Sequence, residues 1–169
     1  MSYITSLLSS THSREDFSCG KEMLDNYLHK QAKQDVKRKV SACFILSDDE
    51  IKIKGYYTLS NTSINRDLLP ASVIKKLPPS YIKLPATLLG RLAVDSSFKG
   101  QGIGTMLLMD ALKRSYDNLT TMASMAVIVD PLDEEAVAFY HHFGFILLPD
   151  SGKMFITMNQ LEVLFNTTK

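Results

Sequence analysis

The stretch FKGQGIGTMLLMDAL (residues 98–112) sets Gly100, Gly102 and Gly104 at alternate positions directly before an apolar helical pattern. They are three of only eight glycines in the chain. Upstream, ATLLGRLAVD (residues 86–95) reads as an apolar strand, with Gly90 marking a bulge or a close backbone approach. A strand that runs into a glycine turn and then a helix is a recurring anion site. The helix start presents unpaired N–H groups and partial positive charge, and glycines let the backbone wrap an oxyanion without Cβ clashes. A P-loop would need a Lys-Ser/Thr pair after the last glycine, and none follows. The dinucleotide fingerprint fails at Thr105, where its third glycine belongs. Taken alone, these glycines are also compatible with a plain tight turn.

Working outward, YITSLLS (3–9) reads as a first strand. FSCGKEMLDNYLHKQAKQDVKRK (17–39) reads as a helix with Leu24, Tyr27, Leu28 and Gln31 on one face and a basic end. SACFILSD (41–48) and IKIKGYYTLSNTSI (51–64), separated by a polar turn, predict a hairpin. Residues 65–85 hold four of the six prolines and are irregular, with a short helix around Ser72 to Lys76. SMAVIVD (124–130) is a continuous apolar run, expected for a strand buried on both faces. DPLDEEAVAFYHHF (130–143) predicts a helix capped by Asp130, with Pro131 in its first turn and Asp133 and Glu134 at the positive end of its dipole. GFILLPD (144–150) and GKMFITMNQLEVLF (152–165) are expected as the last two strands. The order is an antiparallel meander followed by β-α-β-α-β. No linker divides the chain, so one domain over 1–169 is expected.

Composition bounds the function. Of 169 residues, 45% are apolar and 22% charged, as in a globular protein with a real core. The net charge of +1 gives no sign of nucleic acid by itself. Two cysteines, Cys19 and Cys43, do not make a disulfide framework. No signal peptide and no run long enough to span a bilayer is visible, which predicts a cytoplasmic protein with no membrane association. The histidines lack a metal-ligand spacing with the cysteines, so no metal is expected.

LGRLAVDSSFKGQGIGTMLLMDAL (residues 89–112) resembles the acetyl-CoA motif of the GNAT family of N-acetyltransferases: Arg or Gln, two residues, Gly, one residue, then Gly or Ala. Lys99-Gly100-Gln101-Gly102-Ile103-Gly104 fills it, with Lys99 in place of Arg or Gln. DEEAVAFYHHFGF (133–145) resembles the second GNAT motif, which begins with Asn, carries Ala and ends Tyr-x-x-x-Gly-Phe. Asp133 stands at the Asn position, Tyr140 at the tyrosine, and Gly144-Phe145 match. The resemblance implies an α/β (α+β) GNAT fold: a single mixed, mostly antiparallel sheet flanked by helices and splayed at the acetyl-CoA site. It implies that the backbone amides of residues 99–105, through Thr105, hold the coenzyme A pyrophosphate. The backbone of Leu92, Ala93 and Val94 would pair with the pantetheine arm, and Asp133 and Phe139 would complete the cofactor site. Within the family, segments along nearly the whole chain look most like the toxin-type acetyltransferases, which pair with ribbon-helix-helix antitoxins and acetylate aminoacyl-tRNA. A homodimer is expected from the same resemblance.

Acetyl transfer to an amine needs a held thioester, a polarised carbonyl, a neutral amine and a proton for the leaving thiolate. Backbone N–H groups near Val94 suit the second role and Tyr140 the last. Ala136, Phe139, Tyr140 and Phe143 also fall on one helical stripe, so periodicity alone makes Tyr140 a core residue. No general base stands out. An aminoacyl α-amine, with a pKa near ~7.7–8, needs none, and Asp95 at a strand end reads better as structural. His141 and His142 read as surface or packing residues. The run KQAKQDVKRK carries Lys30, Lys33, Lys37, Arg38 and Lys39. It is either a solvated face or a phosphate-contact stripe for tRNA, with Arg91 and Arg66 as additions near the acceptor. The alternatives are a GNAT enzyme acting on a small-molecule or peptide amine, and a non-catalytic acetyl-CoA sensor.

Overall fold

Neighbouring residues of a strand leave by opposite faces, and Tyr56 and Tyr57 show how this sheet is covered. The computed structural model describes residues 2–166. Its strands are β1 (Ser6–Leu7), β2 (Ala42–Leu46), β3 (Gly55–Asn65), β4 (Lys83–Val94), β5 (Ala126–Val129), β6 (Ile146–Leu147) and β7 (Met154–Thr157). They form one sheet in the order β1-β2-β3-β4-β5-β7-β6. The α-helices are α1 (Glu22–Asn26), α2 (Ala32–Lys37), α3 (Ala71–Ile74), α4 (Ile103–Asp117), α5 (Glu134–His142) and α6 (Met158–Asn166). β1–β2, β2–β3, β5–β7 and β6–β7 pair antiparallel. The expected hairpin is present as β2–β3, running from Ala42 opposite Leu59 to Leu46 opposite Gly55. The chain folds into two compact units, Met1–Ser60 with Leu89–Arg114 and Asn61–Leu88 with Ser115–Lys169.

In the first unit, Tyr56 joins an apolar cluster with Phe17, Tyr27, Leu28, Cys43 and Ile45 beneath the first helical segment. Tyr57 faces the other way and donates to Asp110 of α4 at 2.7 Å. Thr5 Oγ1 also donates to Asp110, the Ile4 amide donates to it at 2.9 Å, and Arg114 Nε donates to the Tyr57 hydroxyl at 2.9 Å. This buried carboxylate therefore has its donors in place. Helices thus lie on both faces of the sheet in this unit. Gly55 is a packing requirement: a Cβ there would come within 2.7 Å of Leu107 Cδ1 and 2.9 Å of the Ala93 carbonyl oxygen.

The helix expected over 17–39 starts at Glu22 and holds a π segment, Tyr27–Gln31, between α1 and α2. A π turn takes an extra residue, so the buried positions run Tyr27, Leu28, Ala32, and Gln31 is exposed rather than on the apolar face. Lys39, at φ 63, ends the segment in the left-handed region.

In the second unit, Ile64, Leu69, Leu84, Ala86, Ala126, Ile128, Leu148 and Phe155 form the core. All four residues of β5 are buried, as its unbroken apolar run predicts. Two boundaries differ from expectation. The cap of α5 is Asp133, whose Oδ1 accepts from the Ala136 amide at 2.9 Å; Asp130 lies outside the helix. The last segment is strand only to Thr157 and then turns into α6. The Gln160 amide donates to Thr157 Oγ1 at 3.2 Å, and Gln160 Oε1 accepts from the Thr157 amide at 3.0 Å. That reciprocal pair is a capping box, and it ends the strand. No helix among the described residues is long and apolar enough to cross a membrane.

Candidate active site

The glycine loop lies in the first unit. β4 ends at Val94, and Asp95 caps a 3-10 turn, Ser96–Phe98, that leads into it. Asp95 is buried, with Oδ1 accepting from the Ser97 amide at 2.9 Å and Oδ2 from the Ser18 amide at 3.1 Å. Burial raises its pKa, but the amides of Ser18 and Ser97, the Ser97 hydroxyl and the Lys52 charge together outweigh it and hold the carboxyl below its ordinary range. A carboxylate so committed is a poor proton acceptor and a good anchor. It fixes the exit of β4 to the Ser18 segment, and the Asp-Ser-Ser sequence is a legible turn signal for that cap.

Gly100 and Gly102 adopt φ of 81 and 75, the left-handed region that other residues enter only with strain. No atom lies within 4 Å of where their Cβ atoms would stand. Backbone geometry demands the glycines, and the space above them is open. Gly102 O accepts from the Met106 amide at 3.1 Å, the first bond of α4. The amides of Ile103, Gly104 and Thr105 therefore have no partner within the helix. The first turn holds no acidic side chain, so nothing there competes for them. Ile103 is buried and anchors the helix start against Gly55. Gln101 and Thr105 are exposed. Lys99 reaches back toward Gly20, whose Cβ would stand 3.7 Å from its Nζ. A cradle with positive φ, open space and free amides at the start of a 15-residue helix fits the pyrophosphate of coenzyme A.

On β4, Leu92 and Val94 are half-buried and Ala93 is buried. Gly90 makes the close approach its sequence suggested, since a Cβ there would meet Thr58 Oγ1 at 3.0 Å. The Arg91 guanidinium lies over the Tyr27 ring, its Cζ 3.5 Å from the centroid. Sequence reading placed Tyr27 only as one residue of a helix face.

Tyr140 lies in the second unit, on α5. It is 7% exposed, packed against Phe139 and Phe145 with ring centroids 5.3 Å away in each case. Burial raises its pKa above the ordinary tyrosine value, so the hydroxyl keeps its proton at neutral pH. No group among the described residues hydrogen-bonds it. Periodicity had Tyr140 as core, and its ring is. Its hydroxyl has no acceptor among the described residues. Asp133, at the position of the family's Asn, uses its carboxylate to cap α5. Phe139 is half-buried and stacks edge-on against Phe143. His141 and His142 are exposed.

Lys30, Lys33, Lys37, Arg38 and Lys39 are all exposed, and none forms an ion pair among the described residues. Arg66 is differently placed: its guanidinium donates to the carbonyls of Pro78, Ile74 and Leu77 at 2.6, 3.1 and 3.4 Å, closing the proline-rich loop. Cys19 and Cys43 are buried and unpaired. His12 Nδ1 accepts from the Ser9 amide, and His29 Nε2 contacts the Phe17 carbonyl oxygen at 2.7 Å.

A family model described as an acetyltransferase (GNAT) domain matches residues 39–147. A tRNA-acetylating toxin of Mycobacterium tuberculosis (strain ATCC 25618 / H37Rv) is 36% identical over 133 residues, covering 79% of this chain and 78% of the toxin. Among solved structures, AtaT complexed with acetyl-methionyl-tRNAfMet superposes with a TM-score of 0.86 at 29% identity, over 95% of this chain and 98% of that one. A mutant AtaT toxin bound to the C-terminus of the antitoxin AtaR and acetyl-CoA gives 0.80 at 25% identity, over 96% and 97%.

Proposed function

The chain belongs to the acetyltransferase (GNAT) family, and from that premise we propose that it is a toxin that transfers the acetyl group of acetyl-CoA to the α-amine of aminoacyl-tRNA. The observation that carries the donor half is the open glycine cradle at the start of α4, with φ of 81 and 75 at Gly100 and Gly102. The similarity to a tRNA-acetylating toxin supports the acceptor half. Bound acetyl-CoA supplies an activated thioester. The Lys99 amide is taken by the Ser96 carbonyl oxygen at 3.4 Å, so the amides of residues 100–105 hold the cofactor's pyrophosphate. The backbone of Leu92, Ala93 and Val94 aligns the arm, and an N–H near Val94 polarises the carbonyl. The neutral α-amine forms the new C–N bond as the C–S bond breaks. Tyr140 gives its proton to the thiolate, the nitrogen sheds a proton to solvent, and the Tyr140 phenolate takes one back from solvent. Transfer caps the amine, so the aminoacyl group can no longer accept a peptide, and translation stops.

The exposed cations of 30–39 support a tRNA-backbone contact through Lys30, Lys33, Lys37 and Arg38. Residues 1–169 form one acetyltransferase domain in this reading. A cytoplasmic homodimer held silent by a ribbon-helix-helix antitoxin completes the reading. Radiolabelled acetyl transfer tests it directly. Bulk charged tRNA should be labelled and deacylated tRNA should not. Preferential labelling of small amines would replace the acceptor with a small molecule, and failure to bind acetyl-CoA would end the reading.

A further inference from the structure

Arg91 is held in an unusual way for a half-buried arginine on a strand. Its guanidinium lies 3.5 Å from the Tyr27 ring centroid, a contact at stacking distance. Tyr27 is itself fixed: its hydroxyl donates to Asp35 Oδ2 at 2.9 Å, and its ring stacks on Tyr56 at 6.3 Å with planes 18° apart. Tyr56 in turn meets Phe17 edge-on at 5.5 Å and donates to the Leu24 carbonyl at 2.7 Å. The π segment begins at Tyr27, and π turns gather at functional sites. The ladder Phe17–Tyr56–Tyr27–Arg91 therefore presents one planar cation on a rigid base, half-buried.

Stacking occupies the face of a guanidinium and leaves its five edge N–H donors. Arg91 has no hydrogen-bond acceptor and no carboxylate in ion-pair range among the described residues. Among the groups it acts on, Tyr27, Tyr56 and Cys43 carry no charge at neutral pH because burial raises all three pKa values, and the Asp35 carboxylate is engaged by the Tyr27 hydroxyl. A partly desolvated cation with no counter-anion is costly unless a ligand supplies one. A pre-oriented fork of this kind suits an oxyanion with two coplanar oxygens, above all a phosphate. Its strand position fits a role at the acceptor: it directly precedes Leu92–Val94, the stretch assigned to the pantetheine arm.

We propose that Arg91, held over the Tyr27 ring, binds a phosphodiester of the acceptor's 3′-terminal strand and so selects an RNA-borne amine over a free one. This rests on the aminoacyl-tRNA reading and names the group that site recognises. It differs from the 30–39 stripe, whose long exposed side chains suit diffuse backbone attraction.

The test compares two acceptors: an aminoacylated adenosine, which has no phosphodiester, and the aminoacylated 3′-terminal trinucleotide, which has them. For each enzyme form the readout is the ratio of kcat/KM for trinucleotide over nucleoside. In Arg91→Gln that ratio should fall by about 10- to 100-fold, the range of one charge-assisted bidentate contact, with the loss in KM. Arg91→Lys keeps the charge without the fork and should recover only part of it. Acetyl-CoA affinity by calorimetry should stay within about twofold of wild type, which also shows the variants are folded. A raised acetyl-CoA Kd in Arg91→Gln would mean the phosphate belongs to coenzyme A and would overturn the proposal. An unchanged ratio, with wild type acetylating both acceptors, would defeat it alone. Wild type that acetylates neither would defeat the acceptor reading and this inference together.

Discussion

Gly102→Glu is the sharpest test of the cradle, because the structure separates its two effects. Gly102 has φ of 75, so any side chain there strains the backbone by roughly 1–2 kcal/mol. Nothing lies within 4 Å of the Cβ position, so no steric cost adds to that in the free protein. Gly102→Ala isolates the strain, and a chain of this size should lose about 2–8 °C in Tm. Glu carries the same strain and sets a carboxylate against the bound pyrophosphate. At about 5 Å and an effective dielectric of about 20, each like-charge pair costs about 3 kcal/mol. That is about two orders of magnitude in Kd per phosphate charge. Calorimetry with acetyl-CoA, paired with thermal melts, should show Ala weakened and Glu with no detectable binding, at similar Tm. A folded Gly102→Glu that binds acetyl-CoA within about threefold of wild type would refute the assignment of these amides to the pyrophosphate.

Tyr140→Phe should keep acetyl-CoA binding and lose about 10²–10⁴-fold in turnover, since its hydroxyl is the proposed acid; normal turnover would reduce Tyr140 to a core residue. Because burial raises its pKa, the wild-type rate should show no loss from tyrosine ionisation up to pH 10. Replacing Lys33, Lys37 and Arg38 together by Glu should weaken acetylation of charged tRNA and flatten its salt dependence, each lost phosphate contact removing about 0.7–0.9 from the log–log slope; an unchanged slope would leave the stripe as a solvated helix end. Asp95 has a folded-state pKa below its unfolded value, so its stabilisation is present above the unfolded carboxylate range near ~4 and is lost as pH falls through the lower folded pKa. Acid melts of wild type should therefore lose stability below about pH 4 more steeply than those of Asp95→Asn, and parallel curves would refute the linkage.

What was legible in the sequence was local. The glycine turn, the apolar run of β5 and the hairpin β2–β3 each depend on neighbours within a few positions, and each stands where the pattern puts it. The capping box Thr157-x-x-Gln160 was equally local, but the β-like run MFITM before it drew the strand too far. Gly55 was not legible, because Leu107 and Ala93, far along the chain, decide that no Cβ fits there. The π turn has no compositional signature, so the shift from Gln31 to Ala32 on the buried face could not be read. Asp133 shows two demands on one residue: the family pattern marks it as a cofactor neighbour, and the helix start uses it as a cap. The stack of Arg91 on Tyr27 is long-range in the same sense as Gly55, and no spacing rule would pair them.

The near-neutral net charge, +1, argues less against a polyanionic acceptor than it first suggests. Composition is a sum, whereas a phosphate approaching the surface feels the charges within about a Debye length, about 8 Å at physiological salt. In the first unit four carboxylates are directed to internal donors. Asp95 serves the amides of Ser18 and Ser97, Asp110 the hydroxyls of Thr5 and Tyr57, Asp25 the amide of Cys19, and Asp35 the hydroxyl of Tyr27. The cations of 30–39 have no such internal partners among the described residues and stand in solvent. The same sequence therefore offers little attraction at long range and a positive surface at contact. Association with tRNA should accordingly lack strong electrostatic steering, while the equilibrium still depends steeply on salt, because counterions are released by the contacts made and not by the charge the chain sums to.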